Sequence, residues 1–507
     1  MGSELLNHLV LGFQTALSLQ NLLYCFVGVL LGTLIGVLPG LGPVPTIAML
    51  LPITYALSPV PALIMLAGIY YGAQYGGSTT SILVNLPGES SSIVTCLDGY
   101  QMARNGRAGA ALAISALGSF FAGTFATMVV AGFAPPLSDL AFKFGPAEYF
   151  SLMVLGLIGA VVLAHGSLIK AVAMIVLGLL FGLVGMDVNS GVARYTLNIT
   201  ELLDGINLVP LAMGLFAFSE ILANLEHTRK REVFTSKVRG LWLSREEFRE
   251  SAPAVLRGTV VGSLLGVLPG GGAILASFAA YTVEKKVSRT PERFGKGTIA
   301  GVAGPESANN AAAQTSFIPM LTLGIPPNAV MALLVGAMTV HNIQPGPQVM
   351  TRNAELFWGL VASMWVGNLM LLVLNLPLIG MWIKLLAVPY RLLYSAILLF
   401  CAIGVYTVQN NTVDVLLTIP LGILGYLFLK LGCEPAPLML GFILGPMMEE
   451  NLRRALLLSH GDPSVFVTSP LSAGMLLMAV ALLVIVLLPT IRKKREVVFV
   501  EEEGTGG

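Results

Sequence analysis

The sequence predicts an all-α polytopic membrane protein with about ten to twelve transmembrane helices, two inverted repeats and broken or re-entrant helices. Three observations predict it. The first is composition: of 507 residues, 55% are hydrophobic and 11% charged, against roughly 25% charged in an average soluble domain, too little charge to cover a soluble surface. The second is the recurrence of apolar runs near the length that crosses a bilayer, about 20 residues. They lie around Leu17–Leu38, Pro61–Val84, Gly109–Phe133, Ala147–Ala164, Leu168–Met186, Ile299–Leu323, Ala329–Val349, Phe357–Leu386, Leu392–Val408, Val413–Leu431 and Ser472–Leu488. The third is a motif that occurs twice, Gly32-Thr-Leu-Ile-Gly-Val-Leu-Pro-Gly40 and Gly262-Ser-Leu-Leu-Gly-Val-Leu-Pro-Gly270, at an offset of 262 − 32 = 230.

Composition also excludes function classes. A net charge of +1, with no basic stripe interleaved with aromatics, leaves no groove for nucleic acid. Cys25, Cys96, Cys401 and Cys433 are far apart and mostly inside or beside apolar runs, so they read as small core residues rather than a metal site or disulfide framework. The segment Met1 to Asn7 lacks the positive region and cleavage site of a signal peptide, so Leu17–Leu38 is expected to remain as the first anchored segment.

The long polar stretch from Asn224 to Ser251 mixes basic and acidic residues and reads as a solvated loop. The positive-inside rule places it in the cytoplasm, together with Arg104, Arg107, the run Lys285 to Lys296 and the tail Arg492-Lys493-Lys494-Arg495. The chain divides accordingly into a membrane repeat over 1–223, a basic linker over 224–253, a second membrane repeat over 254–470, and a last helix with its tail over 471–507. A looser correspondence sets Leu86-Pro87-Gly88-Glu89 against Ile325-Pro326-Pro327-Asn328. The basic residues follow the second motif in the first half and the first motif in the second half. If all basic loops are cytoplasmic, equivalent loops lie on opposite sides of the membrane, the mark of an inverted repeat.

Each half carries helix breakers flanked by small hydroxyl and amide residues. The first has Pro39-Gly40-Leu41-Gly42-Pro43, Gly76 to Ser81 and Asn85 to Ser92. The second has Pro269 to Gly272, Gly304 to Asn310, Gln314-Thr315-Ser316 and Gly324 to Asn328. Proline inside a helix removes a backbone hydrogen bond, and lipid cannot satisfy the freed groups, so such segments must be buried in protein or line a wet cavity. A helix that restarts after a break offers unpaired N–H groups and the positive end of its dipole to an anion. No Arg or Lys falls inside these motifs.

Candidate substrate-binding residues are therefore Gly40, Gly42, Ser78, Thr79, Thr80, Asn85, Pro87, Gly88, Gly270, Gly272, Asn309, Asn310, Thr315, Ser316, Pro326 and Asn328. Such donors suit a carboxylate, and a co-bound cation would offset its charge in low dielectric. Broken-helix carbonyls and hydroxyl oxygens are ligands fit for sodium, and Glu89 and Glu306 are the candidate ion-coupling residues. Glu89 equally suits a cap on a helix beginning at Ser90. Gly28, Gly32 and Gly36, at four-residue spacing, form a helix-packing face.

At these residues the chain resembles the large membrane subunit of the tripartite tricarboxylate transporters, the TctA family. The resemblance runs over nearly the whole chain, in the strings GVLPGLGPVPTIAMLLPIT from Gly36, TSILVNLPGESSSIVTCLDGYQMARNGRAGAAL from Thr80 and GPESANNAAAQTSFIPMLTLGIPPNAVMALLVGAM from Gly304. It implies secondary transport of small carboxylates across the bacterial inner membrane, driven by an ion gradient, sodium in the first place. It also implies two partners, a small membrane subunit and a periplasmic solute-binding protein. The family's motif residues fall on Pro39, Gly40, Gly42, Asn85, Pro87, Gly88, Glu89, Glu306, Asn309, Asn310 and Pro326. The chain departs from the family pattern at Pro327-Asn328, where a Gly after the proline is expected, and at Gln314.

No phosphate-binding Gly-x-x-x-x-Gly-Lys-Ser/Thr loop, HExxH pair or GxSxG nucleophile motif is present, so neither an ATP-driven pump nor an intramembrane hydrolase is expected. The alternatives that use the same broken helices are a passive channel and a non-transporting assembly subunit.

Overall fold

The computed structural model describes residues 2–38, 42–163, 167–187, 189–226, 240–268, 270, 272–386, 398–399, 401–407 and 410–487. The expected run Leu392–Val408 falls partly outside them, and the first-half residue Gly40 and the basic tail lie outside them.

The chain begins with α1 (Gly2–Ala16), α2 (Leu19–Gly36), α3 (Pro43–Thr54) and α4 (Pro59–Val84). Short 3-10, α and π turns between Ser90 and Arg104 lead into α5 (Ala108–Ala141). Next come α6 (Pro146–Leu163), α7 (Leu168–Gly182) and a small hairpin pairing β1 (Gly185–Met186) with β2 (Ala193–Arg194). The first half closes with α8 (Leu208–Ala212), a π turn over Met213–Phe218, and α9 (Ser219–Glu226). The second half holds α10 (Arg245–Gly266), α11 (Gly272–Val287), α12 (Ala300–Thr315), α13 (Phe317–Leu323), α14 (Ala329–Val340), α15 (Ala354–Asn375), α16 (Ile379–Leu386), α17 (Thr412–Lys430), α18 (Pro435–Leu458) and α19 (Pro470–Leu487).

The molecule is an all-α polytopic membrane protein. Among the described residues, α2, α5, α15 and α17 are long and apolar enough to cross a membrane. Several expected spans are broken: Ile299–Leu323 divides into α12 and α13 at Ser316, and Phe357–Leu386 into α15 and α16. The expected linker is also shorter than its charge suggests. Helix α10 starts at Arg245, inside 224–253, because Ser244 and Glu247 form a reciprocal cap: the Ser244 N–H donates to Glu247 at 2.8 Å and the Glu247 N–H to Ser244 at 3.2 Å.

The doubled glycine motif is a doubled helix pair. Gly28, Gly32 and Gly36 of α2 lie so close to α4 that a Cβ on any of them would run into the carbonyls of Met65, Ile69 and Ala73. Gly258, Gly262 and Gly266 of α10 meet the carbonyls of Gly304, Ala308 and Ala312 of α12 in the same way. Small residues let backbones approach in an environment where apolar side chains gain little by leaving lipid.

Beyond these pairs the halves exchange arms. Helix α7 of the first half packs on α18 of the second, with Gly178 against Leu438 and Gly441 against Ile175. Helix α17 of the second half packs on the α8–α9 segment of the first, with Gly422 against Phe218 and Gly214 against Leu421. One string of each arm is alike, Pro210-Leu-Ala-Met-Gly214 and Pro437-Leu-Met-Leu-Gly441.

Candidate functional site

The second motifs of the two halves have one backbone plan. Helix α4 ends at Asn85 in the left-handed region, φ 58°, and α13 ends at Gly324, φ 74°. The chain then passes through Pro87 or Pro326, with a bend before the residue that caps the next turn. That residue is Glu89 in the first half, φ −149° and ψ 164°, and Asn328 in the second, φ −151° and ψ 172°. Asn328 Oδ1 accepts from the Met331 N–H at 3.0 Å, and Glu89 forms a capping box with Ser92.

The first motifs place the starts of α3 and α11 beside these caps. Gly42 precedes α3, and a Cβ there would lie 4.0 Å from Glu89 Cβ. Gly272 opens α11, and a Cβ there would lie 3.6 Å from Asn328 Cβ. The Gly270 N–H donates to the Pro327 carbonyl at 2.7 Å and ties the two second-half motifs together. Gly270 and Gly272 have φ +79° and +50°, backbone positions that favour glycine.

These four segments enclose one cavity of about 660 Å³. Gly42, Pro87, Gly88 and Glu89 line it from the first half, and Gly270, Gly272, Pro327 and Asn328 from the second. Tyr70 and Gln74 of α4 reach it, and the arms add Ser219, Glu220, Glu434 and Pro437. The starts of α3, α11, α14 and α18 all border it; α11 and α14 bring unpaired N–H groups to it, whereas α3 (Pro43-Val44-Pro45) and α18 (Pro435-Ala436-Pro437) open with prolines that cannot donate. No Lys or Arg is among the lining residues. Gln74 accepts from Ser91 at 2.8 Å, and Ser91 also donates to Glu89.

A second group of expected residues gathers elsewhere. Glu306 of α12 is fully buried and its carboxylate accepts from Ser78 Oγ of α4 at 2.5 Å, from Ser115 Oγ of α5 at 3.2 Å and from Thr95 Oγ1 in the turns between them. Asn310 donates to Ser119 at 2.8 Å and to the Glu306 carbonyl at 3.1 Å. Asn309 Nδ2 and Ser307 Oγ are buried there without a hydrogen-bond partner. Glu306 has no ion pair among the described residues, and its carboxyl oxygens are met by hydroxyl groups of three other segments.

The remaining expected residues have local roles. Asn85 is exposed and does not line the cavity. The Thr80 hydroxyl donates to the Val37 carbonyl at 2.7 Å, holding the end of α2 on α4. Thr79, Thr315 and Ser316 bond back to their own helices, and Pro326 precedes the cavity lining without joining it. Sequence reading missed Tyr70, Gln74, Glu220 and Glu434. The signal for the first two was polarity within an apolar run; Glu220 and Glu434 carried none, since the arms do not share the motif strings.

A family model described as the tripartite tricarboxylate transporter TctA family matches residues 22–440. A protein of Agrobacterium vitis, "Uncharacterized 52.8 kDa protein in TAR-I ttuC' 3'region", is 61% identical over 500 residues, covering 99% of this chain and 100% of that one. A second from the same organism, "Uncharacterized protein in TAR-II ttuC' 3'region", is 60% identical over 242 residues, covering 48% of this chain and 100% of its own length. No solved structure matches.

Proposed function

Because the chain belongs to the tripartite tricarboxylate transporter TctA family, we propose that it is the large permease subunit of a secondary transporter that imports a small di- or tricarboxylate by cation symport. The cation is sodium, the membrane is the bacterial inner membrane, and the halves are inverted across it. A small membrane subunit and a periplasmic solute-binding protein that delivers the substrate complete the system.

The observation that carries this reading is the cavity bordered by the donor-bearing starts of α11 and α14, without a Lys or Arg among its lining residues. Helix starts favour an anion without a fixed counter-charge, and such a site can release its ligand when the helices move. Three carboxyl side chains, Glu89, Glu220 and Glu434, also line the cavity. An anion entering there is compensated by a cation, as symport requires. Glu306 supports the coupling part of the reading. A buried carboxylate without a cationic partner is costly, and a proton or a metal ion arriving from one side of the membrane relieves that cost.

The reading is tested by binding. Purified full-length protein in lipid nanodiscs is titrated with succinate and citrate, in sodium and in choline buffer, by calorimetry. Saturable binding strengthened by sodium supports it; binding unaffected by sodium removes the symport part, and no binding of any carboxylate removes the substrate class.

A further inference from the structure

Three polar side chains on the first-repeat wall of the cavity form a chain that is one hydrogen short. Glu89 and Gln74 both line the cavity, and buried Ser91 stands between them. Its Oγ lies 2.8 Å from Gln74 Oε1 and is also hydrogen-bonded to a carboxyl oxygen of Glu89. A hydroxyl has a single hydrogen, so Ser91 serves only one of these two oxygens at a time. The other contact needs a hydrogen from its own partner.

Two arrangements complete the chain. With Glu89 protonated, its hydroxyl donates to Ser91, Ser91 donates to Gln74 Oε1, and the Gln74 NH2 is left to the cavity. A protonated carboxyl keeps an accepting oxygen for the Ser92 N–H of the capping box. With Glu89 ionised, Ser91 donates to the carboxylate instead. The Gln74 amide then turns over, its NH2 donating to Ser91 and its oxygen facing the cavity. Tyr70, one helical turn before Gln74, has its hydroxyl beside Gln74, Asn328 and Ser316. A phenol both donates and accepts, so it suits either state of the amide.

We infer that Gln74 is a further substrate-binding residue, a carboxylate donor that a proton on Glu89 switches on through Ser91. In the protonated state the Gln74 NH2 joins Asn328 Nδ2, which is buried without a partner, and the starts of α11 and α14, so that both repeats donate to a small dicarboxylate. In the ionised state the same wall turns an oxygen and a negative charge to the cavity, and affinity falls. Substrate and proton therefore bind together. The titratable groups around Glu89 are Tyr70 of α4, Glu306 of α12 and, among the cavity lining, Glu220 and Glu434 of the arms; none is cationic. Helix α3 meets Glu89 at Gly42, and α11, which packs on the same turn, lines the cavity with Gly272, Ala273 and Ile274. This rests on the carboxylate reading proposed above and adds a proton as a second coupled ion, separate from the ion at Glu306.

The test is calorimetry on the full-length protein in nanodiscs, with sodium held constant. Succinate is titrated at about pH 6.5 and about pH 8.5, both above the range in which a carboxylic acid titrates in water. Buffers of different ionisation enthalpy report the protons taken up on binding. Wild type is expected to bind more tightly at the lower pH and to take up a proton with succinate at the higher. Glu89→Gln, whose amide donates to Ser91 as a protonated carboxyl does, is expected to bind alike at both pH values without proton uptake. Gln74→Met keeps the length and loses the donor. It should weaken binding roughly tenfold at the lower pH, the size of one hydrogen bond to a charged group, and little at the higher. Ser91→Ala, the smallest change, should narrow the pH dependence in the same way and serves where the other variants fail to fold. Proton uptake that persists in Glu89→Gln, a loss in Gln74→Met that is equal at both pH values, or a wild type that takes up no proton overturns the relay while the carboxylate reading stands. A wild type that binds neither succinate nor citrate at either pH overturns the carboxylate reading itself.

Discussion

Glu89 and Asn328 stand 328 − 89 = 239 positions apart and share one backbone conformation, within a few degrees in φ and ψ, each capping the turn that follows. Asn85 and Gly324, separated by the same 324 − 85 = 239, share the left-handed helix end before them. The repeat is therefore exact in its turns where its side chains have diverged, which is how one architecture yields a cavity with unlike sides.

Asn85 owes its identity to that turn. Asn85→Gly is expected to fold and transport as wild type, because Gly enters the left-handed region freely. Asn85→Val should cost about 1–2 kcal/mol, the penalty of that region for a side chain with a branched Cβ. Thermal unfolding in detergent measures the cost, and an unchanged KM for uptake in Asn85→Gly checks that this residue stays outside the cavity.

The helix pairs tolerate no added volume. A Cβ at Gly262 meets the Ala308 backbone, whereas one at Gly132 of α5 meets nothing within 4 Å. Gly262→Ala should lose roughly 1–3 kcal/mol, the usual cost of overpacking, and Gly132→Ala should not be destabilised. Melting temperatures of the two variants measured side by side distinguish them.

Glu306 should govern ion dependence rather than substrate recognition, since it lies outside the cavity lining. Glu306→Gln, which removes the charge and keeps the shape, is expected to retain carboxylate binding in choline buffer and to lose the response to sodium. The measurement is the ratio of substrate affinities with and without sodium. Ser78→Ala should lower that ratio by less, since Thr95 and Ser115 remain.

The small hairpin after α7 is pinned by an ion pair with a definite pH signature. The Asn189 N–H and the Arg453 guanidinium hold the Asp187 carboxyl below its ordinary range, with Arg453 donating at 2.9 and 3.2 Å. A lowered folded value means the contribution is complete above the unfolded value, about 3.9, and is lost as pH falls through the folded one. Asp187→Asn should therefore melt below wild type at neutral pH, with the gap narrowing as the medium becomes strongly acidic. A gap that widens on acidification contradicts this.

Much of the plan was legible because lipid forbids certain patterns. Prolines with their glycines can occur at membrane depth only as breaks held by protein, and of the doubled motifs Gly42, Pro87, Gly88, Gly270, Gly272, Pro327 and Asn328 line the cavity. The glycine stripes gave the helix pairs for a similar reason. Helix α18 was not legible: Glu449, Glu450, Arg453 and Arg454 dilute its apolar run, and Asp187, which partners Arg453, is distant in sequence. The start of α10 was hidden by its charge until the Ser244 and Glu247 cap was seen. The division of labour among the polar residues was also out of reach. Ser78, Asn309 and Asn310 share the motif strings with Gly88 and Asn328, yet side-chain direction sends them to Glu306 and not to the cavity.

The most direct test of the account is uptake of labelled succinate and citrate into proteoliposomes holding this chain together with the proposed small membrane subunit, the proposed solute-binding protein being added outside, with and without an inward sodium gradient. The account predicts saturable uptake that needs the gradient and is abolished by Asn328→Asp. Uptake that neither saturates nor responds to sodium would show a passive pore, contradicting a coupled permease.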